Sequence, residues 1–277
     1  MGMQINTNIA ALNAHRNLSN TQNDLSKSLE KLSSGLRINR AADDAAGMAI
    51  SEGLRSQVNG LTVAARNAQD GISVIQTAEG ALTEVHSILQ RMRDLAVQAG
   101  NDSNNADSRL AIKTESDALS AELTRIGAST NFNGIKLLDG TATALTFHVG
   151  AGGVAAEDQI AVDLSGANTT AVGTATAALT FDTAANAAAS ITAIDAQIKT
   201  ISTARADLGA VQNRFESTIN SLNVSRENLQ AAESRIRDTD MAAEMVNFTR
   251  ANILSQAGTA MLAQANQSNQ GVLQLLG

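Results

Sequence analysis

The sequence predicts a mainly α-helical protein, in which long antiparallel helices from both chain ends form a coiled-coil-like bundle with a small β-rich insert in the middle. Three observations lead to this fold class: the 277 residues include no proline, apolar residues recur every seven positions in both halves, and an Ala/Thr/Gly-rich stretch separates the halves. Proline breaks helices because it lacks an amide hydrogen and clashes with the preceding turn. Its absence therefore permits very long helices, and the heptad repeats indicate that these helices pack along a seam.

The first long helix is predicted to run from Leu54 to Ala99, which would give it a length of roughly 70 Å. Its apolar seam consists of Leu54, Val58, Leu61, Ala65, Ala68, Ile72, Ile75, Leu82 and Leu89. A second apolar line begins late and consists of Val85, Ile88, Met92, Leu95 and Ala99. Two faces of the helix are therefore expected to be buried near its end. A turn at residues 100–105 leads into a further helix, for which Gly127 is the expected C-cap.

The insert is expected at about residues 139–190, where Ala, Thr and Gly dominate. Two segments alternate apolar and other residues, which predicts a β-hairpin or small sheet. They are Leu145, Phe147 and Val149, and then Ile160, Val162 and Leu164. Helix is predicted to resume at Ile191, with the apolar heptad positions Ile194, Ile198, Ile201, Leu208, Phe215, Ile219, Leu222, Leu229 and Ile236. The chain thus goes out along one long helix and returns along another.

Polar side chains interrupt both seams. Glu79, His86 and Arg93 occupy seam positions of the first long helix, and Arg205 is one of several polar residues in the seam of the second. Polar residues at such positions weaken a coiled coil but fix its register and its partner. These residues are therefore expected to set the alignment of the two long helices.

The outermost segments indicate burial against other subunits. Residues 3–36 carry regularly spaced leucines and isoleucines, and the last 27 residues, after Arg250, contain no charged side chain. The C-terminal segment is too polar to cross a bilayer, because each buried amide would need a partner, and too poor in charge for a solvated helix. The predicted assembly core is Ile5, Ile9, Leu12, Leu25, Leu29, Leu32, Leu36, Met245, Phe248, Ile253, Leu254, Met261, Leu262, Leu273, Leu275 and Leu276.

Two domains are expected. Residues 1–42 and 236–277 should form a terminal helical domain that holds the assembly core. Residues 43–190 and 191–235 should form a helical rod domain that carries the insert. In this division, each domain is built from one segment of the N-terminal half of the chain and one segment of the C-terminal half.

Composition and motifs argue against catalysis, cofactors and several classes of partner. The net charge is −7, the pI is about 5.0, and aromatic residues make up 2% of the chain, which disfavours nucleic acid and anionic membranes. The acidic pairs Asp43/Asp44 and Asp238/Asp240 have no histidine nearby and are expected to serve at helix ends or in salt bridges. The histidines are too far apart to form a local ligand set. We expect no cofactor, no cleavable secretory signal and no membrane-spanning helix.

Several local sequences resemble those of bacterial flagellins. They include Gln-Ile-Asn-Thr-Asn-Ile at residues 4–9, Leu-Ser-Ser-Gly-Leu-Arg at 32–37 and Ala-Ala-Asp-Asp-Ala-Ala-Gly at 41–47, followed by the stretches 90–98, 131–134, 234–242 and 263–267. The resemblance covers about residues 3–138 and 191–277. It implies a short flagellin without large outer domains, a structural subunit that polymerises into an extracellular motility filament. It also implies export through the flagellar type III secretion channel, a chaperone on the C-terminal helix, and contacts with the filament cap and hook-associated proteins.

The same resemblance implies a host receptor. Gln90, Arg91, Leu95 and Glu115 match positions that Toll-like receptor 5 reads in flagellins of this type. Leu95 lies on an apolar helical line and is also predicted to be a packing residue, whereas Gln90 and Arg91 lie off that line. In a filament the same patch is expected to contact neighbouring subunits.

Two alternatives remain at this stage. The hook–filament junction protein shares the terminal helices, although its N-terminus usually departs from the Ile-Asn-Thr-Asn pattern at residues 5–8. A signalling coiled coil would be expected to contain a transmembrane segment and a charged hairpin tip, which this sequence does not show. A flagellin with an enzymatic insert is disfavoured because residues 139–190 are too few for an enzyme domain.

Overall fold

The computed structural model describes the backbone of residues 8–276 and the side chains of residues 8–267. The helices are α1 (Ile9–Ser34), α2 (Ala45–Ala99), α3 (Ala106–Ser129), α4 (Ala155–Asp158), α5 (Thr169–Ala177), α6 (Ala184–Arg237) and α7 (Met241–Leu276). The strands are β1 (Asn131–Phe132), β2 (Ile135–Lys136), β3 (Ala144–His148) and β4 (Gln159–Asp163). Long helices from both chain ends and small two-stranded sheets in the middle confirm the predicted fold class.

The chain divides into two compact units. One, here called the terminal unit, comprises Met1–Ser56 and Asn228–Gly277, and the other, the central unit, comprises Gln57–Glu227. One boundary falls inside α2, which has 55 residues, and the other falls inside α6, which has 54. Each long helix therefore contributes residues to both units.

In the terminal unit, α1 and α7 pack as an antiparallel pair. The Asn8 side chain accepts a hydrogen bond from the backbone N–H of Ala11 at 3.0 Å and so caps the start of α1. The same side chain donates to the carbonyl of Ala265 at 2.9 Å. Further along, Leu18 lies so near Gly258 that a Cβ there would be 3.2 Å from its Cδ1. The start of α1 thus lies beside the far part of α7.

Two short connectors, one between α1 and α2 and the other between α6 and α7, lie next to each other at one end of this helix pair. Gly35 ends α1 with a φ of 73°, a left-handed conformation that glycine adopts without steric cost. Leu36 and Asp238 then form an antiparallel bridge, and the Arg37 N–H donates to the Arg237 carbonyl at 2.6 Å. The Thr239 N–H donates to the Gly35 carbonyl at 3.0 Å. These bonds join the segment after α1 to the segment before α7.

Acidic residues of the connectors cap the helices that follow. Asp44 accepts from the Gly47 N–H at 2.9 Å at the start of α2, and Asp240 accepts from the Ala242 N–H at 2.9 Å at the start of α7. The helix-end role predicted for these two residues is therefore confirmed. Asp43 accepts from the backbone N–H groups of Arg40 at 2.9 Å and Asn39 at 3.2 Å. These bonds favour the carboxylate and lower the pKa of Asp43.

In the central unit, α2 and α6 run antiparallel along the predicted heptad seam. Along the seam, fully buried residues recur every seven positions in both helices: Ala68, Ile75, Leu82 and Leu89 of α2, and Ile194, Ile201, Leu208 and Phe215 of α6. Polar seam residues pair across the two helices: Arg93 with Asp195 at 2.7 Å, and Arg205 with Glu79 at 3.6 Å. The predicted antiparallel packing of the outgoing and returning helices is confirmed.

The late second face of α2 is also buried, as predicted. Val85, Met92, Leu95 and Ala99 are at most 2% exposed, and Ile88 is half-buried. Helix α3 turns back along α2, since the Arg109 Nε donates to the Ala99 carbonyl at 3.1 Å. The end of α2 therefore belongs to the core that α2, α3 and α6 share.

The insert contains the predicted hairpin but also unpredicted helix. Strands β3 and β4 pair antiparallel as a hairpin, with Leu145 opposite Val162 and Phe147 opposite Ile160. The prediction of a β-rich insert up to residue 190 was wrong in its second half, because α5 forms there and α6 begins at Ala184 rather than at residue 191. Alanine is frequent in this segment and has the highest helix propensity. Polar side chains cap the starts of both helices, since Asn168 accepts from the Ala171 N–H at 2.9 Å and Thr183 accepts from the Asn186 N–H at 3.1 Å.

The expected C-cap role of Gly127 was also wrong. Helix α3 continues to Ser129, and Gly127 is buried inside it. A Cβ at Gly127 would overlap the Thr169 hydroxyl of α5 and would lie 3.0 Å from the backbone N of Thr170. Glycine at this position therefore allows α5 to approach α3 closely. The packing between the two helices offsets the cost of about 1 kcal/mol that a glycine within a helix carries.

Candidate functional site

The helix pair of the terminal unit buries few side chains. Among the described side chains of α1 and α7, those below 10% exposure are Ser28, Glu244 and Ala251. None of these is a large apolar residue. Two helices alone cannot enclose a core, because each can cover only one stripe of the other. The leucines and isoleucines of the pair are therefore left partly or largely in contact with solvent.

Helix α7 presents a broad apolar face on its outer side. Its exposed large apolar residues are Met241 (47%), Met245 (50%), Val246 (58%), Ile253 (61%), Leu254 (53%) and Met261 (62%). They are spread around the part of the helix that α1 leaves uncovered, here called the outer face of α7, and Met241 and Met261 point in different directions. Val246 and Ile253 are seven residues apart, close to two helical turns, and so point in nearly the same direction. Met245, Val246, Ile253 and Leu254 line a shallow, largely apolar depression together with Thr249 and Arg250. Contiguous apolar surface of this kind marks an interaction site more often than isolated exposed residues do.

Helix α1 adds exposed apolar residues at both of its ends, namely Ile9 (61%), Leu12 (60%) and Leu29 (56%). Charged residues of the pair concentrate near the connectors. A polar groove there is lined by Lys27, Lys31, Glu244 and Arg250, among other residues. Beyond Arg250, the described part of α7 carries no charge.

The predicted assembly residues fall into three groups. Ile9, Leu12, Leu29, Met245, Ile253, Leu254 and Met261 are exposed, whereas Leu25, Leu32, Leu36, Phe248 and Leu262 are half-buried. Ile5, and the side chains of Leu273, Leu275 and Leu276, lie outside the described residues. Sequence reasoning missed Val246 and Met241. The spacing of seven residues between Val246 and Ile253 was the signal that could have found the first of them.

The residues implied in receptor recognition separate into surface and core. Arg91 of α2 donates to the Glu115 carboxylate of α3 from Nε at 2.9 Å and from Nη2 at 2.6 Å, and both side chains are about half exposed. Gln90 is exposed beside this pair. Leu95 is only 2% exposed, so its predicted packing role is confirmed and its side chain offers no contact surface.

The described part of the chain shows no cluster of three or more histidine, cysteine or acidic side chains that could hold a metal ion. Among the helices described, none is long and apolar enough to cross a membrane. The features that can carry a function are therefore surfaces: the outer face of the α1/α7 pair and the α2/α3 surface around Arg91.

Comparison with known proteins agrees with these features. Residues 5–143 match the bacterial flagellin N-terminal helical region, and residues 191–276 match the bacterial flagellin C-terminal helical region. The flagellin of Halalkalibacterium halodurans is 56% identical over 274 residues, with 99% of this chain and 100% of that protein covered. The flagellin of Bacillus subtilis (strain 168) is 52% identical over 306 residues, with 99% and 100% covered.

A solved structure of a putative flagellar hook-associated protein from Vibrio parahaemolyticus also resembles this chain. It is 15% identical, has a TM-score of 0.57, and covers 71% of this chain and 100% of its own. At that level of identity the likeness shows a shared fold alone.

Paired terminal helices, a helical central unit and these matches define a structural protein of the bacterial flagellum. The chain belongs to the bacterial flagellin family, whose members are filament subunits and not enzymes. Identity to flagellins at more than half of the aligned positions favours the filament subunit over the hook–filament junction protein and over a signalling coiled coil.

Proposed function

We propose that this flagellin polymerises through its terminal unit, and that the terminal helices of neighbouring copies cover the exposed apolar face of α7 and α1. The observation that carries this proposal is the set of nine large apolar side chains on the two helices that are 47–62% exposed. The terminal unit thus takes the role expected of residues 1–42 and 236–277.

The energy available from this surface is of the size that assembly needs. Fully burying one such side chain contributes about 1.5–3 kcal/mol, so covering the exposed half contributes about 1 kcal/mol. Nine side chains together give on the order of 10 kcal/mol, which is comparable with the 4–15 kcal/mol cost of immobilising a subunit. Assembly therefore requires contacts with several neighbours at once. Repeated contacts between two different faces propagate into an open filament when the rotation between neighbours does not close a ring.

A second copy of the chain fits this surface better than a lipid bilayer. From residue 251 to residue 267 the helix mixes apolar residues with asparagine, glutamine, serine and threonine and has no charge. Amide side chains need hydrogen-bond partners when buried, which other helices of the same kind provide and hydrocarbon does not. Most burial of the terminal helices then occurs on assembly, so that mass action links their order to polymerisation.

A matched pair of substitutions tests the proposal. Val246→Ser removes an apolar contact from α7, and Val154→Ser makes the same change at a residue of the insert that is equally exposed (58% and 54%). Valine and serine have similar helix propensities, so the change at Val246 leaves the isolated helix nearly unaffected. Seeded polymerisation, followed by sedimentation and electron microscopy, measures the critical concentration of each variant.

We expect Val246→Ser to raise the critical concentration by about three- to tenfold, which corresponds to a loss of about 1 kcal/mol. Val154→Ser should change it by less than about twofold. Equal effects of the two substitutions would contradict a polymerisation interface on α7.

The remaining partners are those that membership of the flagellin family implies, and we propose that they use the same surface. The flagellar export chaperone covers the outer face of α7 before export, and the cap and hook-associated proteins meet the terminal helices at the filament ends. The chain leaves the cell through the flagellar type III secretion channel and functions outside the cell. If chaperone and filament use one face, Val246→Ser weakens chaperone binding in calorimetry while Val154→Ser does not. Identical affinity of the chaperone for both variants would show that the chaperone does not bind the face of α7 proposed for polymerisation.

Recognition by Toll-like receptor 5 is a second proposed function, supported by the exposed Arg91–Glu115 pair and the adjacent Gln90. Leu95 contributes indirectly, because it packs the helix that presents Arg91. Arg91→Ala is expected to reduce receptor-reporter activation by monomeric protein about tenfold or more, since the variant loses a charge that receptor binding would bury in a charge-assisted contact. Arg125→Ala is the matched control, because Arg125 is an equally exposed arginine of the same central unit and pairs with Glu122 at 2.6 Å. Equal activation by both variants would refute this site.

A further inference from the structure

The described methionines divide sharply by exposure. Met241, Met245 and Met261 are 47%, 50% and 62% exposed, all on α7, whereas Met92 is fully buried in the central unit. Met48 of α2 is half-buried. Thioether sulfur is the atom of these side chains that two-electron oxidants attack, and solvent access governs how fast they do so. The oxidisable sulfurs of the described chain are thus concentrated on the surface proposed for assembly.

We infer that Met241, Met245 and Met261 form an oxidation-sensitive modification site, through which a peroxide stops free subunits from polymerising. This inference rests on the proposed assembly role of α7. In the reaction, the sulfur attacks one peroxide oxygen, an S–O bond forms and the O–O bond breaks. The sulfur loses two electrons, and the peroxide is reduced to water or an alcohol, so each methionine becomes a sulfoxide without loss of any atom.

The sulfoxide changes the chemistry of the outer face of α7. Methionine is a flexible apolar residue, and its sulfoxide is polar and requires a hydrogen-bond donor when it is buried. At Met245 the sulfur belongs to a depression that Val246, Ile253 and Leu254 also line. The Thr249 hydroxyl nearby already donates to the Met245 carbonyl at 2.8 Å. Arg250 also lines this depression and carries a charged hydrogen-bond donor. Because it can donate to a sulfoxide at Met245, oxidation there should weaken assembly less than oxidation far from any donor.

At Met261 the effect is larger. This residue is the most exposed of the three and lies in the uncharged part of α7, eleven residues beyond Arg250. A sulfoxide carried there into a contact between helices would lose its water partners. Polymerised subunits are protected, because the same contacts that bury Met261 exclude the oxidant. Oxidation therefore acts on subunits before assembly and spares the finished filament.

The test uses the full-length chain and hydrogen peroxide. Monomer is treated, quenched with catalase and divided between peptide mass spectrometry and seeded polymerisation. We expect the peptides with Met241, Met245 and Met261 to gain oxygen at least about tenfold faster than the peptide with Met92. The critical concentration should rise at least about tenfold. Filaments treated after assembly should show little oxidation at Met245 and Met261, and sulfoxide reductase should restore polymerisation of treated monomer.

Two variants give the result its specificity. The triple variant Met241→Leu, Met245→Leu and Met261→Leu keeps apolar side chains of similar size, so it should polymerise with or without peroxide. Met48→Leu makes the same change outside α7 and should remain sensitive to peroxide. If the triple variant polymerises poorly untreated, Met261→Leu alone should still reduce the loss caused by peroxide.

The outcomes separate this inference from the proposed function. Untreated wild-type chain that never polymerises from seeds overturns the assembly role and the inference together. Wild-type chain that polymerises equally well after all three methionines are oxidised overturns the inference alone. So does a triple variant that assembles untreated and is still inhibited by peroxide as strongly as the wild type.

Discussion

Gly71 and Gly80 provide a prediction in which the same substitution has opposite signs within one helix. Both lie in the interior of α2. A Cβ at Gly71 would lie 2.8 Å from Cζ of Phe215, and 3.1 and 3.2 Å from its two Cε atoms, whereas a Cβ at Gly80 meets nothing within 4 Å. Phe215 cannot easily retreat, because it is fully buried and packs edge-on against Phe147 with ring centroids 5.7 Å apart.

The magnitudes follow from two opposing effects. Replacing a helical glycine with alanine stabilises the helix by up to about 1 kcal/mol. Adding a methyl group to a closely packed site costs about 1–3 kcal/mol. Gly80→Ala has only the gain in helix propensity, whereas Gly71→Ala has both this gain and the cost of overpacking against Phe215. The free energies of unfolding of the two variants should therefore differ by about 1–3 kcal/mol, with Gly71→Ala the less stable protein.

Thermal unfolding of the monomer, followed by far-ultraviolet circular dichroism, measures the difference. A change of 1 kcal/mol shifts the unfolding midpoint by about 2–4 °C for a unit of this size. Gly71→Ala should unfold at least about 2 °C below Gly80→Ala, and Gly80→Ala should unfold at or slightly above the wild type. A Gly71→Ala protein as stable as Gly80→Ala would show that the Phe215 ring does not lie against α2 at this point.

Three further predictions concern charged residues. The pKa of Asp43 is lowered in the folded chain, so its contribution to stability is present above its unfolded pKa of about 3.9 and is lost as the pH falls through the folded pKa. The protection of the Arg40 amide, measured as its exchange rate relative to the intrinsic rate at the same pH, should therefore fall on acidification in the wild type and vary less with pH in Asp43→Asn. Arg91→Ala should change the free energy of unfolding by less than about 1 kcal/mol in urea titration, because the pair with Glu115 is exposed. Asp240→Ala should destabilise the start of α7 by about 1 kcal/mol, whereas Asp240→Asn, which keeps the cap, should retain the helicity seen by circular dichroism.

Periodicity is the reason that so much of the fold could be predicted. Heptad spacing alone assigned Ile75, Leu82 and Leu89 to the seam of one helix and Ile201 and Leu208 to the seam of the other, and the structure buries these five residues. The period-two pattern predicted the two strands that form the β3/β4 hairpin, although it did not predict which residues pair across it. In both cases the pattern reports which face of an element meets the core, and this constraint acts along the whole element.

Contacts between elements distant in sequence were not predictable in the same way. Helix α5 has almost no apolar periodicity, and it is held by the close approach of Thr169 and Thr170 to Gly127. A glycine near a helix end fits a C-cap as well as a packing site, and only the position of α5 distinguishes the two. The exposed surface was harder still to predict, because the exposure of Val246 depends on how many helices surround it.

Hydrogen exchange, measured by mass spectrometry on monomer and on seeded filaments, tests the central claim most directly. That claim is that neighbouring copies cover the outer face of the α1/α7 pair. We predict that peptides from residues 241–267 and 9–34 exchange quickly in the monomer and slow strongly in filaments, while peptides around Leu82 and Leu208, which are already buried, change much less. Equal protection of the terminal helices in monomer and filament would contradict the claim.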